Sequence, residues 1–296
     1  MENLVIAGAA IEDKYISAGL VDFVERQVIP NTLRRKRVDP KASADEIIEK
    51  WVECIRDVLS LKPAAEVRLG IGIPNQIDFE SGVYLDNDPN RYGCLYQQNI
   101  KYLLAEGLRI SPEAIQIRNV DANFFQGEVF AGAARGYQSS FCVTLGLGLG
   151  TARCGQGGVE DANLWKTPFK NAIAEDYLSV RFLINRFSEL SGIEVSDIPE
   201  IKSFHPNPFV EQTFREFGEH LGDFIIQVVK QEKPEMILIG GQMESSYRFF
   251  FDIAVNRVRS ASIWLPIVKA ILGERAYVIG AAAIWNERLI KSPLIK

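Results

Sequence analysis

The chain has 296 residues, 47% of them apolar and 24% charged, with 33 basic and 38 acidic side chains and a formal net charge of −5. That balance supplies a sizeable hydrophobic core and excludes a disordered chain, and the acidic excess excludes the strongly basic footprint of a nucleic-acid binder. The longest apolar run, Ala276 to Trp285, is about half the length that a membrane-spanning helix needs.

Met1-Glu2-Asn3 leads directly into Leu4-Val5-Ile6-Ala7. No basic segment precedes a long apolar one, so a signal peptide is not expected. A cytoplasmic protein is expected, with Cys54, Cys94, Cys142 and Cys154 reduced, since they form no Cys-x-x-Cys pair. The basic cluster Arg34-Arg35-Lys36-Arg37 reads as a solvated turn or hairpin edge rather than a binding patch.

In chain order, Leu4 to Ala10 is a short apolar strand, Ile16 to Phe23 a second, and Val28 to Val38 a third. Ser43, with Glu46 three residues on, forms a capping box and opens a helix. Ile47, Ile48, Trp51, Ile55, Val58 and Leu59 make its apolar stripe, and Lys62-Pro63 closes it. Strands are expected at Val67 to Ile73, Ala114 to Arg118, Ser140 to Leu147 and Met236 to Ile239. Helices are expected at Gln97 to Ala105, Ala122 to Ala134, Ile173 to Leu190, Val210 to Gln231 and Val278 to Arg288. No internal repeat is present, and the early meander followed by helix–strand alternation describes an α/β protein of two lobes.

Three glycine-bearing turns follow apolar strands: Gly70-x-Gly72-Ile73-Pro74, Gly146-Leu147-Gly148-Leu149-Gly150 and Gly240-Gly241. Glycine lets a ligand approach the backbone closely, and successive N–H groups cradle anions. Tight packing explains single glycines equally well. In α/β sheets, however, ligands gather at the carboxyl ends of strands, where these three turns stand.

These blocks, with Ala18-Gly19-Leu20-Val21-Asp22, Gln126-Gly127-Glu128, Ala131 to Gly136, Phe217 to Gly222, Pro234 to Gly241 and Ile279 to Ala282, resemble the ROK family, which includes bacterial glucokinases and sugar-responsive repressors. They occur in the family order over nearly the whole chain. The resemblance implies a two-lobed actin/hexokinase-like (ribonuclease H-like) ATPase fold closing on sugar and ATP. The smaller lobe is expected at 1–118, completed by about 280–296, and the larger at 119–279.

Several positions depart from that family. Where a ROK kinase has Asp-x-Gly-Gly-Thr around phosphate, this chain has Ala10, Ile11, Glu12, Asp13 and Lys14. Like charges ~4 Å apart repel by roughly 1–4 kcal/mol. Lys14 is expected to offset part of this, unless the turn faces solvent. At the family's catalytic base, ungapped alignment on Gly127-Glu128 places Asn119 and then Val120, which cannot accept a proton. Asp121 takes that role only if the register shifts by one residue, which on a helix rotates the side chain by about 100°. Otherwise it reads as a helix cap. Leu147 stands where the family has threonine in the second phosphate turn.

By the same resemblance, Asn119, Glu160 and Glu175 occupy the positions of sugar-binding groups, and Asn75 replaces a family glycine, with Asp78 nearby. Gly146, Gly148, Gly150, Gly240 and Gly241 occupy the nucleotide positions. After Glu160 the family's Gly-His is replaced by Asp161-Ala162, and the residues of its zinc site are missing, so no structural zinc is expected. For these carboxylates a solvated surface role fits as well as ligand contact. ATP with Mg²⁺ is the expected cofactor if the chain is active. A small-molecule sugar is the expected partner and a nucleotide a further one. Neither nucleic acid nor membrane is expected, and a homo-oligomer is expected by resemblance. Three readings follow: a sugar-binding homologue with impaired or lost phosphoryl transfer, an active ATP-dependent hexokinase using Asp121, and a sugar-sensing regulatory protein. ROK repressors carry a DNA-binding domain before the kinase-like part. Here the chain opens on its first strand, so DNA binding is not expected.

Overall fold

A computed structural model describes residues 4–12, 14–63, 66–74, 77–89 and 91–291. The chain divides into two compact units, residues 1–135 with 271–296 and residues 136–270. The elements of the first are β1 (Leu4–Ile11), β2 (Tyr15–Asp22), β3 (Gln27–Val28), β4 (Arg34–Arg37), α1 (Ala44–Leu59), β5 (Glu66–Ile73), α2 (Ile100–Leu108), β6 (Ile115–Asn119) and α3 (Val120–Ala131). Those of the second are β7 (Ser140–Leu145), β8 (Leu149–Gly155), β9 (Gly158–Asp161), β10 (Pro168–Phe169), β11 (Ala172–Ile173), α4 (Ala174–Tyr177), α5 (Val180–Ser191), α6 (Ile198–Ser203), α7 (Pro208–Glu232), β12 (Met236–Gly241), α8 (Tyr247–Ser260) and β13 (Ile267–Lys269). Helix α9 (Arg275–Lys291) returns to the first unit.

Among the described residues, the first unit is built on a six-stranded sheet of order β3-β2-β1-β5-β6, with β4 also on β2. Strand β1 pairs antiparallel with β2 and parallel with β5, which pairs parallel with β6. The capping box of α1 forms as its sequence dictates: the Ser43 N–H donates to Glu46 Oε2 at 3.0 Å, and the Glu46 N–H donates to Ser43 Oγ at 3.4 Å. Ile47, Trp51, Ile55 and Val58 are buried, with Ile48 and Leu59 at the margin of the stripe. The single strand expected over Val28 to Val38 is two short strands. Pro30 lacks a donor and Asn31 adopts a left-handed φ of 64°, which interrupts pairing.

Helix α9 lies directly on the backbone of this sheet and of α3. A methyl group on Gly8 would stand 1.8 Å from the Val278 carbonyl oxygen, and one on Gly70 1.8 Å from that of Ala281. A methyl on Gly127 would stand 2.1 Å from the Ala276 carbonyl oxygen, and one on Gly280 1.7 Å from that of Asn123. The apolar run that opens α9 is therefore core, with Ala276, Val278, Ile279, Ala281 and Ala282 buried. Compactness divides the chain at 135/136 and 270/271, where the sequence suggests 118/119 and about 279/280. Helix α3 and the start of α9 account for the difference, because they pack on each other.

The second unit carries a five-stranded sheet of order β13-β12-β7-β8-β9. The inner face of α7 covers it with Phe214, Phe217, Leu221, Phe224, Ile225 and Val228, all buried. The helix expected over Ile173 to Leu190 breaks at Ser179, whose extended backbone (φ −133°, ψ 165°) makes it the N-cap of α5. The hairpin strands β8 and β9 were hidden in the sequence by the glycines at 150, 155, 157 and 158, which mask strand periodicity.

Half-buried His220 on α7 packs edge-on against Tyr177 and Phe182, with ring centroids 5.1 and 5.2 Å away. Burial, with Lys170 and Arg186 adding to it, lowers its pKa from 6.5 to about 4, against the opposing pull of Glu216 and Asp223.

Two predictions follow from this packing. Gly280→Ala lowers stability in urea unfolding by about 1–3 kcal/mol or more, because the helix backbone must move. Gly157→Ala, with nothing within 4 Å of the new methyl, changes it by less than about 0.5 kcal/mol. For His220, the unfolded chain binds more protons between pH 6.5 and about 4, so stability rises with pH in that window. Acidification from 6.5 to about 4 costs about 1–3 kcal/mol through this residue. His220→Phe removes that part of the slope in a series of unfolding curves across the window.

Candidate functional site

The first turn to consider joins β1 to β2. The register Ile11 to Ile16 closes the hairpin, and the Glu12 N–H donates to the Tyr15 carbonyl at 2.8 Å. The Tyr92 hydroxyl donates to the Glu12 carbonyl at 2.7 Å. The Glu12 side chain, 11% exposed, meets Arg35 Nη2 at 3.5 Å. Arg35 also reaches Glu274 at 3.4 Å and lies 4.1 Å above the Tyr15 ring. Ser17 donates its hydroxyl to the same Glu274 carboxylate. The countercharge expected from Lys14 is thus supplied by Arg35, from the basic cluster on β4, while Lys14 is exposed. Elsewhere in that cluster Lys36 pairs with Glu53 and Asp57. Asp13 lies outside the described residues. Among the described residues of this turn, Glu12 thus places a carboxylate and an internally bonded N–H where a phosphate cradle would present inward-facing amides.

The second feature is the junction of β5, β6 and α3. Gly70 is explained by α9. A methyl on Gly72 would come within 2.9 Å of Asn123 Nδ2 and 3.3 Å of Val120 Cγ2. Both glycines of this station therefore serve packing. Asn119 is the N-cap of α3: its Oδ1 accepts from the Asp121 N–H at 2.8 Å and the Ala122 N–H at 3.0 Å. The capping role read for Asp121 belongs to Asn119, and Asp121 supplies one of the capped N–H groups. Val120 is buried, and Asp121, one residue on, is half-buried. Asn123 is completely buried, with neither amide atom hydrogen-bonded. Sequence reasoning did not single it out. Glu128, also fully buried, accepts from the N–H groups of Ile271 and Leu272 on Oε1 (3.0 and 2.9 Å) and of Ala133 on Oε2 (2.8 Å). It clips the loop before α9 to the end of α3. Asn75 lies outside the described residues, and Asp78 is exposed and caps its own turn, accepting from the Glu80 and Ser81 N–H groups at 3.0 and 3.2 Å.

The third feature is the β7–β8 turn. Leu145 pairs with Leu149, and the Gly146 N–H donates to the Gly148 carbonyl at 3.1 Å. Leu147 stands at the tip, 46% exposed. Glu175 reaches this turn from α4: its Oε2 accepts from the Leu149 N–H at 3.1 Å, and its Oε1 accepts from Arg181 Nη2 at 2.7 Å. Thr144 faces Gly150 on one side and Gly240 on the other in the sheet. Gly241 has φ 95°, and a methyl there would lie 2.6 Å from the Leu145 carbonyl, so backbone conformation and packing both require glycine. Glu160 is not gathered with Glu175. It lies opposite Arg153, about 13 Å along β8 from the turn, with its side chain 70% exposed and 3.5 Å from Arg153.

Within the second unit the structure thus brings Glu175, Gly148, Leu149 and Arg181 together, and within the first it pairs Glu12 with Arg35; sequence reasoning selected neither arginine. One signal for Arg181 was available. A cation in the first turn of a helix opposes the dipole, which points to an anion beside it. Among the described residues no three His, Cys, Asp or Glu side chains are grouped to hold a metal ion. Among them, too, no helix is long and apolar enough to cross a membrane.

The architecture is the actin- and hexokinase-like α/β fold. More narrowly, it is the fold of the ROK-family sugar kinases. The chain is similar to a ROK hexokinase from Thermus thermophilus, with a TM-score of 0.78 and 19% identity over 97% of this chain and 100% of that one. It is similar to a ROK family glucokinase from Streptomyces griseus solved with glucose and AMPPNP, with a TM-score of 0.76 and 18% identity over 95% and 98%. A ROK family protein from Streptococcus pneumoniae TIGR4, in complex with sucrose, gives a TM-score of 0.74 and 14% identity over 98% and 100%. No family profile matches the sequence, and no curated protein matches it.

The cap assignment is testable. Asn119→Ala lowers stability by about 0.5–2 kcal/mol, and Asn119→Asp recovers most of it, in chemical unfolding. Asp121→Asn changes it by less than about 1 kcal/mol. The reverse ranking would return the cap to Asp121.

Proposed function

We propose that this protein is a divergent ROK-family homologue that binds a sugar and transfers phosphate from ATP poorly or not at all. The observation that carries the reading is the β1–β2 turn, where Glu12 is bonded through its N–H, its carbonyl and its Arg35-paired side chain. An ATP phosphate placed there would meet a fixed carboxylate, at a cost of roughly 1–4 kcal/mol at ~4 Å, and would find fewer amides to hold it. Val120 adds to this. A buried hydrocarbon at the position of the family's base accepts no proton, and losing a general base typically removes ~10²–10⁴ in rate. The sugar-binding half rests on Glu175 and Asn119, which keep the polar groups of the family's sugar positions, and on the solved relatives, which include complexes with glucose and with sucrose.

A coupled assay with ATP, Mg²⁺ and a panel of hexoses is expected to give turnover well below the roughly 1–100 s⁻¹ of kinases, while a hexose from that panel raises the melting temperature. Turnover in the kinase range would overturn the impaired reading. If Asp121→Asn then abolished that turnover without unfolding the protein, the active reading with Asp121 as base would take its place.

A further inference from the structure

We propose that the Glu175 carboxylate is an internal anion seated in an oxyanion site of the second unit, and that a phosphate-bearing ligand enters this site only when Glu175 is withdrawn. The proposal deepens the sugar-binding reading and in its sugar-coupled form rests on it.

Three observations build the site. Both Glu175 oxygens are engaged by donors that suit a phosphate, the Leu149 N–H at 3.1 Å and the Arg181 guanidinium at 2.7 Å. Gly148 is shaped around this carboxylate: a methyl there would stand 2.5 Å from Glu175 Oε2, and its three nearest neighbours are all Glu175 side-chain atoms. The N-terminus of α5 is docked on the same turn, with the Val180 N–H donating to the Gly146 carbonyl at 2.9 Å. Ser179, the N-cap of that 12-residue helix, is 1% exposed, makes no side-chain cap and leaves its hydroxyl without a partner. A helix N-terminus without a side-chain cap, with an arginine in its first turn and a buried unpaired hydroxyl, thus adjoins the glycine turn and favours an anion there. Glu175 is the anion seated on the turn, with its side chain only 14% exposed.

The consequence is competition. A phosphate taking the Leu149 N–H and Arg181 would stand within ~4 Å of the displaced carboxylate, and the two anions repel by roughly 1–4 kcal/mol. The apparent phosphate affinity is therefore the intrinsic one multiplied by the fraction of time Glu175 is withdrawn. A sugar whose hydroxyls engage Glu175 draws it away from the turn, so sugar and phosphate bind with positive coupling, each tightening the other by the same factor. Leu147, in place of the family's threonine, offers no side-chain donor, which leaves Arg181 as the side chain able to replace it.

The test is calorimetric titration of the full chain with inorganic phosphate at low ionic strength, with and without a saturating hexose from the panel above. Glu175→Gln is expected to tighten phosphate by about 10-fold or more. Glu175→Ala is expected to do the same, since it removes the seated carboxylate altogether. Adding Arg181→Gln to Glu175→Gln should abolish the gain. Sugar should tighten phosphate in the native chain and lose that effect in Glu175→Gln. Circular dichroism checks folding, and if Glu175→Gln fails to fold, Glu175→Ala carries the test. Unchanged phosphate affinity in the folded variants overturns the internal-anion assignment, whatever the sugar does. A gain in both variants without any effect of sugar upholds that assignment and sinks the sugar reading on which the coupling rests.

Discussion

The first unit depends on how closely α9 approaches the backbone beneath it. Gly8 and Gly70 lie on neighbouring parallel strands, and Gly127 and Gly280 lie on the two helices. At each of them a single methyl would stand about as close as a covalent neighbour to a carbonyl oxygen. Contact this close gains dispersion energy along Ala276 to Ala282 and excludes water from the backbone there. It also fixes the position of α3, and therefore of Asn119, Val120 and Asp121. Glu128 completes the constraint with three charge-assisted hydrogen bonds to backbone N–H groups, two of them from the loop that launches α9. The position of the candidate catalytic residues is thus set by glycines and a carboxylate that touch no ligand.

That constraint explains which parts of the molecule were legible in the sequence. Long apolar stripes such as those of α1 and α7 announce themselves by their 3.6-residue period, and Ser43 and Glu46 mark a helix start by their chemistry alone. The glycine stations were visible as well, yet their meaning was divided. Gly70 and Gly72 face α9 and α3, whereas Gly148 faces a carboxylate. Glycine records only that something comes close. Whether that is a helix, a side chain or a ligand depends on contacts far apart in the chain, such as Gly70 with Ala281. Ion pairs were less legible still. Arg35 and Glu12 are 23 residues apart, and nothing local distinguishes Arg35 from its basic neighbours on β4. The position of Ser179 was obscured because Glu175 to Ser191 carries a continuous helical pattern, and only the docked Val180 N–H reveals the break.

In each unit, the turn that corresponds by resemblance to a phosphate position holds a glutamate paired with an arginine. The two pairs differ in kind. Glu12 is anchored through its own main chain: its N–H and carbonyl are bonded, and its partner Arg35 is bound again by Glu274. Removing the carboxylate there would still leave a turn whose amide is spent. Glu175 instead reaches its turn only through its side chain, from a separate helix, and contributes no backbone to it. On the proposed reading, the first arrangement replaces an anion site, whereas the second merely fills one.

This distinction has an energetic basis. A carboxylate already in place prevents the Leu149 amide from being buried unpaired, and an unsatisfied buried donor costs about 1–3 kcal/mol. The donors of the second turn have to be satisfied whenever no ligand is bound. Glu175 does so while keeping Gly148, Leu149 and the start of α5 in an anion-ready conformation, with Arg181 59% exposed at the mouth. The donors therefore need no rearrangement to accept a phosphate; only one side chain has to rotate away. On the proposed reading, whatever draws on Glu175 frees these donors, and phosphate binding at the turn reads out that event.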